Sequence, residues 1–438
     1  VGGSPKRTRI ELPFGGRRMT GEIRTLYICY FSLHEPLVQT QVLPYLREIG
    51  RAGVKVWLLT FERAMPKHWN NDTEETWRGR LRDDGIEWLT LPYHSRPSLP
   101  AKIVDIVTGT LKVIRTVRRE RIAIIHARSH LPTLIGLLAR PFTSARVIFD
   151  IRGLFADDYI EAGHWQPRGL LYRITKNVER FLHRADAFVV LTDRARLELF
   201  AAGSEKPIQV IPTCFDPERW KRTDAPRETI RDAVGARGRT IIVYAGSLGG
   251  TYPTKELSEF FAVARSIDES AFLLVVTQSA PRLIAEPLAR AGVSETDFHV
   301  AYVPPDRLPA YLEASDIAMC MAKPGYSKLA MSPTKFAEYL ASGLPVIASR
   351  GIGDLDGLIE NEGIGVLLDG FTSAAYANAF RQADALRKQH GFRDACRNVA
   401  RQFFDLHSIG SARYMKLYRA ISGSANVAVV EEPCDQTP

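Results

Sequence analysis

The sequence predicts an α/β protein made of two Rossmann-like, doubly wound parallel-sheet domains that face each other across a cleft. Three observations carry this expectation. Apolar, β-rich runs alternate with stretches of helical period from residue 24 to residue 192, and the alternation restarts at 240 and continues to 349. The runs are apolar almost throughout, as in parallel strands covered on both faces. Between the two blocks, residues 211–228 hold three prolines, several charges and no period, which suits an interdomain linker.

The first strand is expected at RTLYICYF (24–31), followed by the loop SLHEPLVQT and a helix in QVLPYLREIGRAG that closes on Gly53. VKVWLLTF (54–61) is the second strand, and this strand–loop–helix–strand order opens a parallel sheet. IAIIHA (122–127), ARVIFDI (145–151) and ADAFVVLT (185–192) extend it. In the second block the strands are TIIVYAG (240–246), AFLLVVT (271–277), FHVAYV (298–303), DIAMCMA (316–322) and LPVIAS (344–349). The expected boundaries are a disordered leader at 1–21, an N-terminal domain at 22–213 and a C-terminal domain at 214–401. A helix at 402–424 should pack back on the N-terminal domain, and 425–438 is a tail. Ligands of such folds bind beyond the carboxyl ends of the strands, so the site belongs in the cleft.

A chain of 438 residues exceeds what one core usually organises, and its composition, 45% hydrophobic and 24% charged, is that of a soluble globular protein. Cys29, Cys214, Cys320, Cys396 and Cys434 are odd in number and scattered, which fits reduced structural thiols rather than a disulfide or zinc framework. The leader is basic and polar with no apolar signal core, and no uncharged run reaches membrane-spanning length, so cytoplasmic residence is expected. The net charge of +9 is uneven: residues 1–219 carry 34 Lys and Arg against 24 Asp and Glu, and the remainder is near neutral. A basic N-terminal half attracts an anionic partner, although an Arg-rich solvated surface would look the same.

SKLAMSPTKFAEYLASGLPVIASRGIGD (327–354) is the most informative segment. It should run from a loop into a helix at about Pro333–Ser342, stop at Gly343 and enter a strand. Ser332, Pro333 and Thr334 are expected to cap that helix. Its free N–H groups and dipole then suit a diphosphate, and Glu338, one turn inside, is placed to accept hydrogen bonds from a ribose diol. The same residues would also make an ordinary helix start. YAGSLGGTYPTKEL (244–257) is a second phosphate candidate, because Gly246, Gly249 and Gly250 let backbone approach a ligand closely. Loss of Glu338 is expected to weaken nucleotide binding and to leave the fold intact.

Residues 327–354 resemble the hallmark of glycosyltransferase family 4, in which two glutamates eight positions apart cross a helix start. Glu338, Gly343, Pro345 and Val346 match the second half of that pattern. Ala330 stands where the first glutamate, which holds donor-sugar hydroxyls, is expected. The likeness covers roughly residues 24–422 and is nearest to bacterial surface-polysaccharide transferases. It implies the GT-B fold, a retaining transfer and a nucleotide-binding C-terminal domain. Ser332, Thr334, Lys335 and Glu338 fall at the matching nucleotide site. KPIQVIPTCFDPERW resembles the entry to the C-terminal domain, and AYVPPDRLPAYLEASDIAM, with Tyr302, the elements beside the base. The first loop lacks the family's Gly-Gly pair and carries Glu35, Gln39 and Gln41 instead. In the second glycine loop Ser247 replaces an expected arginine, leaving Lys255 as the nearest cation in sequence. Arg152, where the family often has histidine, and Lys328 are the expected catalytic cations, with a pairing of Arg152 to Asp157 or Asp158 as the plainer alternative. Gln39, His126 and Arg128 are assigned to the acceptor side.

The resulting expectation is a hexosyltransferase using a UDP- or GDP-sugar as substrate, with no cofactor and no metal. Its acceptor would be a glycan or a polyprenyl-diphosphate-linked glycan of bacterial polysaccharide synthesis. Lys102, Lys112, Arg115, Arg118, Arg119 and Arg121, mixed with apolar residues between Pro97 and Ile122, suggest peripheral attachment to an anionic membrane on its inner face. The plainer alternative has Val104, Val107, Leu111 and Ile114 facing the core. An epimerase of the same fold, or a basic nucleic-acid-binding protein using KVIRTVRRERI, are the alternative functions; no Rossmann dinucleotide fingerprint is present, and no nucleic-acid partner is expected.

Overall fold

The computed structural model describes residues 22–63, 71–96, 98–221, 226–250 and 252–422. The expected leader and all of the tail, with Cys434, lie outside them.

Two parallel sheets organise the chain. The first contains β1 (Arg24–Cys29), β2 (Lys55–Glu62), β3 (Ile86–Pro92), β4 (Ile124–Arg128), β5 (Arg146–Asp150), β6 (Ala187–Val190) and β7 (Ile208–Val210) in the order β3-β2-β1-β4-β5-β6-β7. The second contains β8 (Thr240–Ala245), β9 (Ala271–Val276), β10 (Phe298–Ala301), β11 (Ile317–Cys320), β12 (Val346–Ser349) and β13 (Gly365–Leu368) in the order β10-β9-β8-β11-β12-β13. Both are doubly wound, with a switch of winding direction beside β1 and beside β8, which is where such sheets open a binding crevice. Alternate residues of each strand feed opposite faces: Leu26 and Ile28 join one core of the N-terminal sheet, Tyr27 and Cys29 the other.

β3, β7 and β13 were not expected from the sequence. All three are edge strands: β3 and β13 are half-covered, β7 has only three residues, and neither β3 nor β7 shows the continuous apolar run that marks the inner strands. Four cysteines, Cys29, Cys214, Cys320 and Cys396, are buried and free.

The chain crosses between the domains twice. Phe215 pairs with Asp405 in an isolated bridge, and beyond it the helix Ala412–Ile421 packs Tyr414, Leu417 and Tyr418 into the N-terminal core. This returning helix determines what the carboxyl ends of β4 and β5 can do.

The helix Ser98–Glu120 lies on the other face of that sheet. Val113 and Val117 anchor it in the core, whereas Ile103, Val104, Val107 and Leu111 are 54%, 45%, 50% and 61% exposed. Ile114 is only partly buried against the core. The apolar stripe at 103–111 therefore faces outward, contrary to the plainer alternative. Among the described residues no helix is long and apolar enough to cross a membrane.

Candidate active site

The helix Thr334–Ala341 begins at the domain boundary, pointing its amino end at the N-terminal domain. Its cap is Pro333, which offers no side-chain hydrogen bond, so the expected hydroxyl cap is not formed. Ser332 instead accepts the Thr213 N–H at 3.0 Å, and Thr334 accepts from the Gln41 side-chain amide. Gln41 in turn accepts from Arg128 Nη2 at 2.9 Å. The two hydroxyls thus bind the crossover segment and the helix Pro36–Gln41, which stands where a loop was expected, leaving the N–H groups of the helix start without side-chain caps.

Lys335 reaches from the first turn of this helix to the glycine loop. Its Nζ lies 4.0 Å from the centre of the Tyr244 ring and 5.0 Å from that of Tyr252. It is sealed from solvent and has no hydrogen-bond partner among the described residues. Burial lowers its pKa from the ordinary lysine value. Gly246 makes the approach possible: it has φ +135°, and a Cβ there would stand 3.1 Å from Lys335 Nζ. The loop beyond it is held by Tyr244 Oη donating to the Ser247 carbonyl at 2.7 Å and by Leu248 N–H donating to Ser279 at 3.0 Å. Gly249 and Gly250 both have positive φ, so the loop turns on residues without Cβ. Lys335 therefore occupies, in space, the cationic role for which the sequence of the loop offered only Ser247 and Lys255. Lys255 itself is 78% exposed and paired with Glu259 on the outside of its helix, away from this centre.

Glu338, one turn on from Lys335, is 5% exposed and forms an ion pair with Arg219 Nη1 at 3.1 Å. Burial raises the Glu338 carboxyl pKa, and Arg219 and Lys335 oppose the rise. Arg219 comes from the crossover helix Pro217–Lys221 and also donates to the Pro305 carbonyl, so it ties Glu338 to the segment that follows β10, where Tyr302 is exposed. The sequence showed Arg219 only as a linker charge.

Three other expected site residues are placed differently. His126 is fully buried, hydrogen-bonded to Tyr418 Oη at 2.6 Å and Asp150 Oδ2 at 3.3 Å; burial lowers its pKa, and it joins the sheet to the returning helix rather than lining a cleft. Arg152 bonds Asp150 at 2.8 Å and Tyr414 Oη at 2.7 Å, so its partner is neither Asp157 nor Asp158. Burial would raise the Asp150 pKa, but Arg152, His126 and Arg128 outweigh it and hold the carboxyl well below the usual range. Arg152 thus anchors a buried network instead of standing free as a catalytic cation. Lys328 is no free cation either: it meets Asp158 at 2.9 Å and Glu161 at 3.1 Å, both from the opposite domain. Gln39 donates to the Leu33 carbonyl at 2.7 Å and ties the helix Pro36–Gln41 to the turn before it, and Arg128 acts through Gln41. His130, four residues on from His126, lies 3.4 Å from Glu179. Asp354–Leu355–Asp356 is an Asp-x-Asp triplet, the spacing of a metal-binding acidic pair, in a sequence for which no such motif and no metal were expected. Asp354 caps the Asp193 and Arg194 N–H groups and Asp356 accepts from Gly351 N–H.

The arrangement can hold a diphosphate between the glycine loop and a helix start, with an unpaired cation against it and a carboxylate one turn away. Two doubly wound domains with such a site in the C-terminal half define the GT-B class of glycosyltransferase. The family model described as "Glycosyl transferase 4-like domain" matches residues 38–214, and "Glycosyl transferases group 1" matches 239–383. The chain belongs to the GT-B glycosyltransferases of the family 4 type.

A 2-deoxystreptamine glucosyltransferase from Streptomyces kanamyceticus is 26% identical over 201 residues, 44% of this chain and 50% of its own length. The chain therefore spans about half the length of the curated relative it matches. Among solved structures, sucrose-phosphate synthase from Thermosynechococcus elongatus is similar with a TM-score of 0.69 at 17% identity, covering 92% of this chain and all of that one. An Anabaena protein solved in complex with UDP has a TM-score of 0.64 at 15% identity over 90% of this chain and 99% of its own. At these identities the likeness concerns the fold.

Proposed function

We propose that the protein transfers a hexose-type sugar from a UDP- or GDP-sugar, without a metal ion, to a glycan or polyprenyl-diphosphate-linked acceptor of bacterial polysaccharide synthesis. The observation that carries this reading is Lys335: a sealed, unpaired ammonium against Gly246, beside a helix start and one turn from Glu338. A buried cation with no counter-ion in direct contact is costly, and a diphosphate would supply one. The UDP held by the Anabaena structure is consistent with such a donor. In the retaining reaction the acceptor oxygen bonds to the anomeric carbon on the face from which the phosphate oxygen departs, and that oxygen takes the acceptor proton. Lys335 and the loop N–H groups stabilise the charge that develops on the leaving diphosphate. A panel of UDP- and GDP-sugars tests the reading by thermal shift. A true donor at a hundred times its Kd adds about 2.7 kcal/mol to stability, several degrees in melting temperature, and no shift with any member of either series would sink it.

The protein is also proposed to attach peripherally to the cytoplasmic face of an anionic membrane through the outward stripe of Ser98–Glu120. Ile103, Val104, Val107 and Leu111 would enter the headgroup boundary, with Lys112, Arg115 and Arg119 among the phosphates. Each basic residue at the surface contributes about 1 kcal/mol, screened by salt. Flotation with anionic vesicles at low salt is expected to carry the protein upward, and Val107→Asp/Leu111→Asp to abolish it. Equal, negligible flotation with anionic and neutral vesicles would leave a soluble acceptor.

A further inference from the structure

A cavity of about 230 Å³ opens between the domains, walled by Glu161 and Gly163 on one side and by Gly250, Lys323 and Lys328 on the other. It holds roughly eight waters, the scale of one monosaccharide ring and not of a whole nucleotide sugar. Gly250 belongs to the loop that carries Gly246, so the cavity and the proposed diphosphate position share that loop.

The polar groups of the cavity are set in place by the opposite domain. Glu161 ends the helix Phe155–Glu161 of the N-terminal domain. Its Oε1 accepts the Ser327 N–H at 2.8 Å, its Oε2 accepts the Ser327 hydroxyl, and Lys328 Nζ lies 3.1 Å away. Gly325 makes room for it: a Cβ there would fall 2.2 Å from Glu161 Oε2. The loop itself offers no carboxylate, since Ala330 is buried with Leu329 against the N-terminal core. Lys328 is matched by Asp158 and Glu161, and Lys323 pairs with Glu256 at 3.6 Å, so this wall offers no unbalanced positive charge and does not suit a second phosphate. A fixed carboxylate with a lone pair to spare, an ammonium at Lys323 and glycine backbone suit the hydroxyls of a neutral polyol.

We propose that Glu161 receives hydroxyls of the transferred sugar, supplying from the N-terminal domain the carboxylate that position 330 lacks. This rests on the nucleotide-sugar reading above. Because the carboxylate belongs to one domain and the diphosphate site to the other, only the closed cleft presents both to a donor.

Calorimetry of UDP, UDP-glucose, GDP and GDP-mannose against the parent, Glu161→Gln and Glu161→Ala tests it, with melting curves as the control for folding. In the parent at least one nucleotide sugar should bind, and Glu161→Ala should weaken that sugar nucleotide about ten- to a hundred-fold while the bare nucleotide keeps its Kd. Glu161→Gln, which can still meet Ser327, should lose less. Gly325→Ala, which displaces the carboxylate without removing it, should behave like Glu161→Ala. Monodeoxy analogues of the bound donor separate contact from mere positioning: deleting the right hydroxyl should cost the parent and cost Glu161→Ala nothing further. Equal losses for nucleotide and nucleotide sugar, or additive losses throughout the deoxy series, overturn the proposal. A parent that binds none of the four ligands overturns the nucleotide-sugar reading itself.

Discussion

Lys335→Met is expected to abolish most transfer activity while melting at or above the temperature of the parent. The ammonium has no hydrogen-bond partner among the described residues and lies against two tyrosine rings. A desolvated cation–π contact is worth about 2 kcal/mol, and leaving a charge buried without a counter-ion costs at least as much. Replacing it with an apolar chain of similar length should therefore leave the resting fold no less stable. The substrate complex is where the loss falls. Removing one group that faces charge developing on a leaving group lowers kcat by about 10²–10³, and bare UDP or GDP should bind about ten- to a hundred-fold more weakly. Full activity in a well-folded Lys335→Met protein would dismiss the phosphate role.

The pH dependence has a definite sign. Burial lowers the Lys335 pKa, so the free enzyme loses this proton below the ordinary lysine value of about 10.4. Diphosphate affinity should fall as pH rises through that lowered pKa, and Lys335→Arg, which stays charged, should flatten the fall. Stability runs the other way. Between the lowered pKa and about 10.4 the unfolded chain holds a proton that the folded chain has released, so this residue makes stability rise with pH. That rise should vanish in Lys335→Met.

The inner strands were legible because burial on both faces leaves an unbroken apolar run, as in TIIVYA and AFLLVV. The edges were not. IEWLTLP alternates and IQV is too short, and nothing in either stretch distinguishes a half-covered strand from a loop. Within the site, Lys335 and Glu338 could be placed because one helix carries both at a fixed spacing. Their partners could not. Arg219 and Glu161 arrive from a linker and from the other domain, 119 and 166 residues away in sequence from Glu338 and Ser327. His126 and Arg152 were assigned to the cleft because they sit at strand carboxyl ends. The helix Ala412–Ile421 returns over those ends and places Tyr414 and Tyr418 against them, and no local pattern at 126 or 152 announces a cover almost three hundred residues downstream.

Glu338→Ala should lose nucleotide binding and stability together, which departs from the expectation that the fold would be untouched. The carboxylate is 5% exposed, and its partner Arg219 has a side chain only 17% exposed. Deleting one member of a buried pair strands the other, at a cost of about 3 kcal/mol, or roughly 6–12 °C in melting temperature for a domain of this size. Lost hydrogen bonds to the ribose add a ten- to hundred-fold drop in affinity for UDP or GDP. The two effects can be separated. Arg219→Met/Glu338→Leu removes both charges and keeps the volume, and such replacements of buried pairs are commonly neutral for stability. This double variant should melt close to the parent and still bind UDP or GDP about ten- to a hundred-fold more weakly. If it regains stability and binds UDP or GDP with the affinity of the parent, Glu338 is a structural anchor for Arg219 and the ribose lies elsewhere.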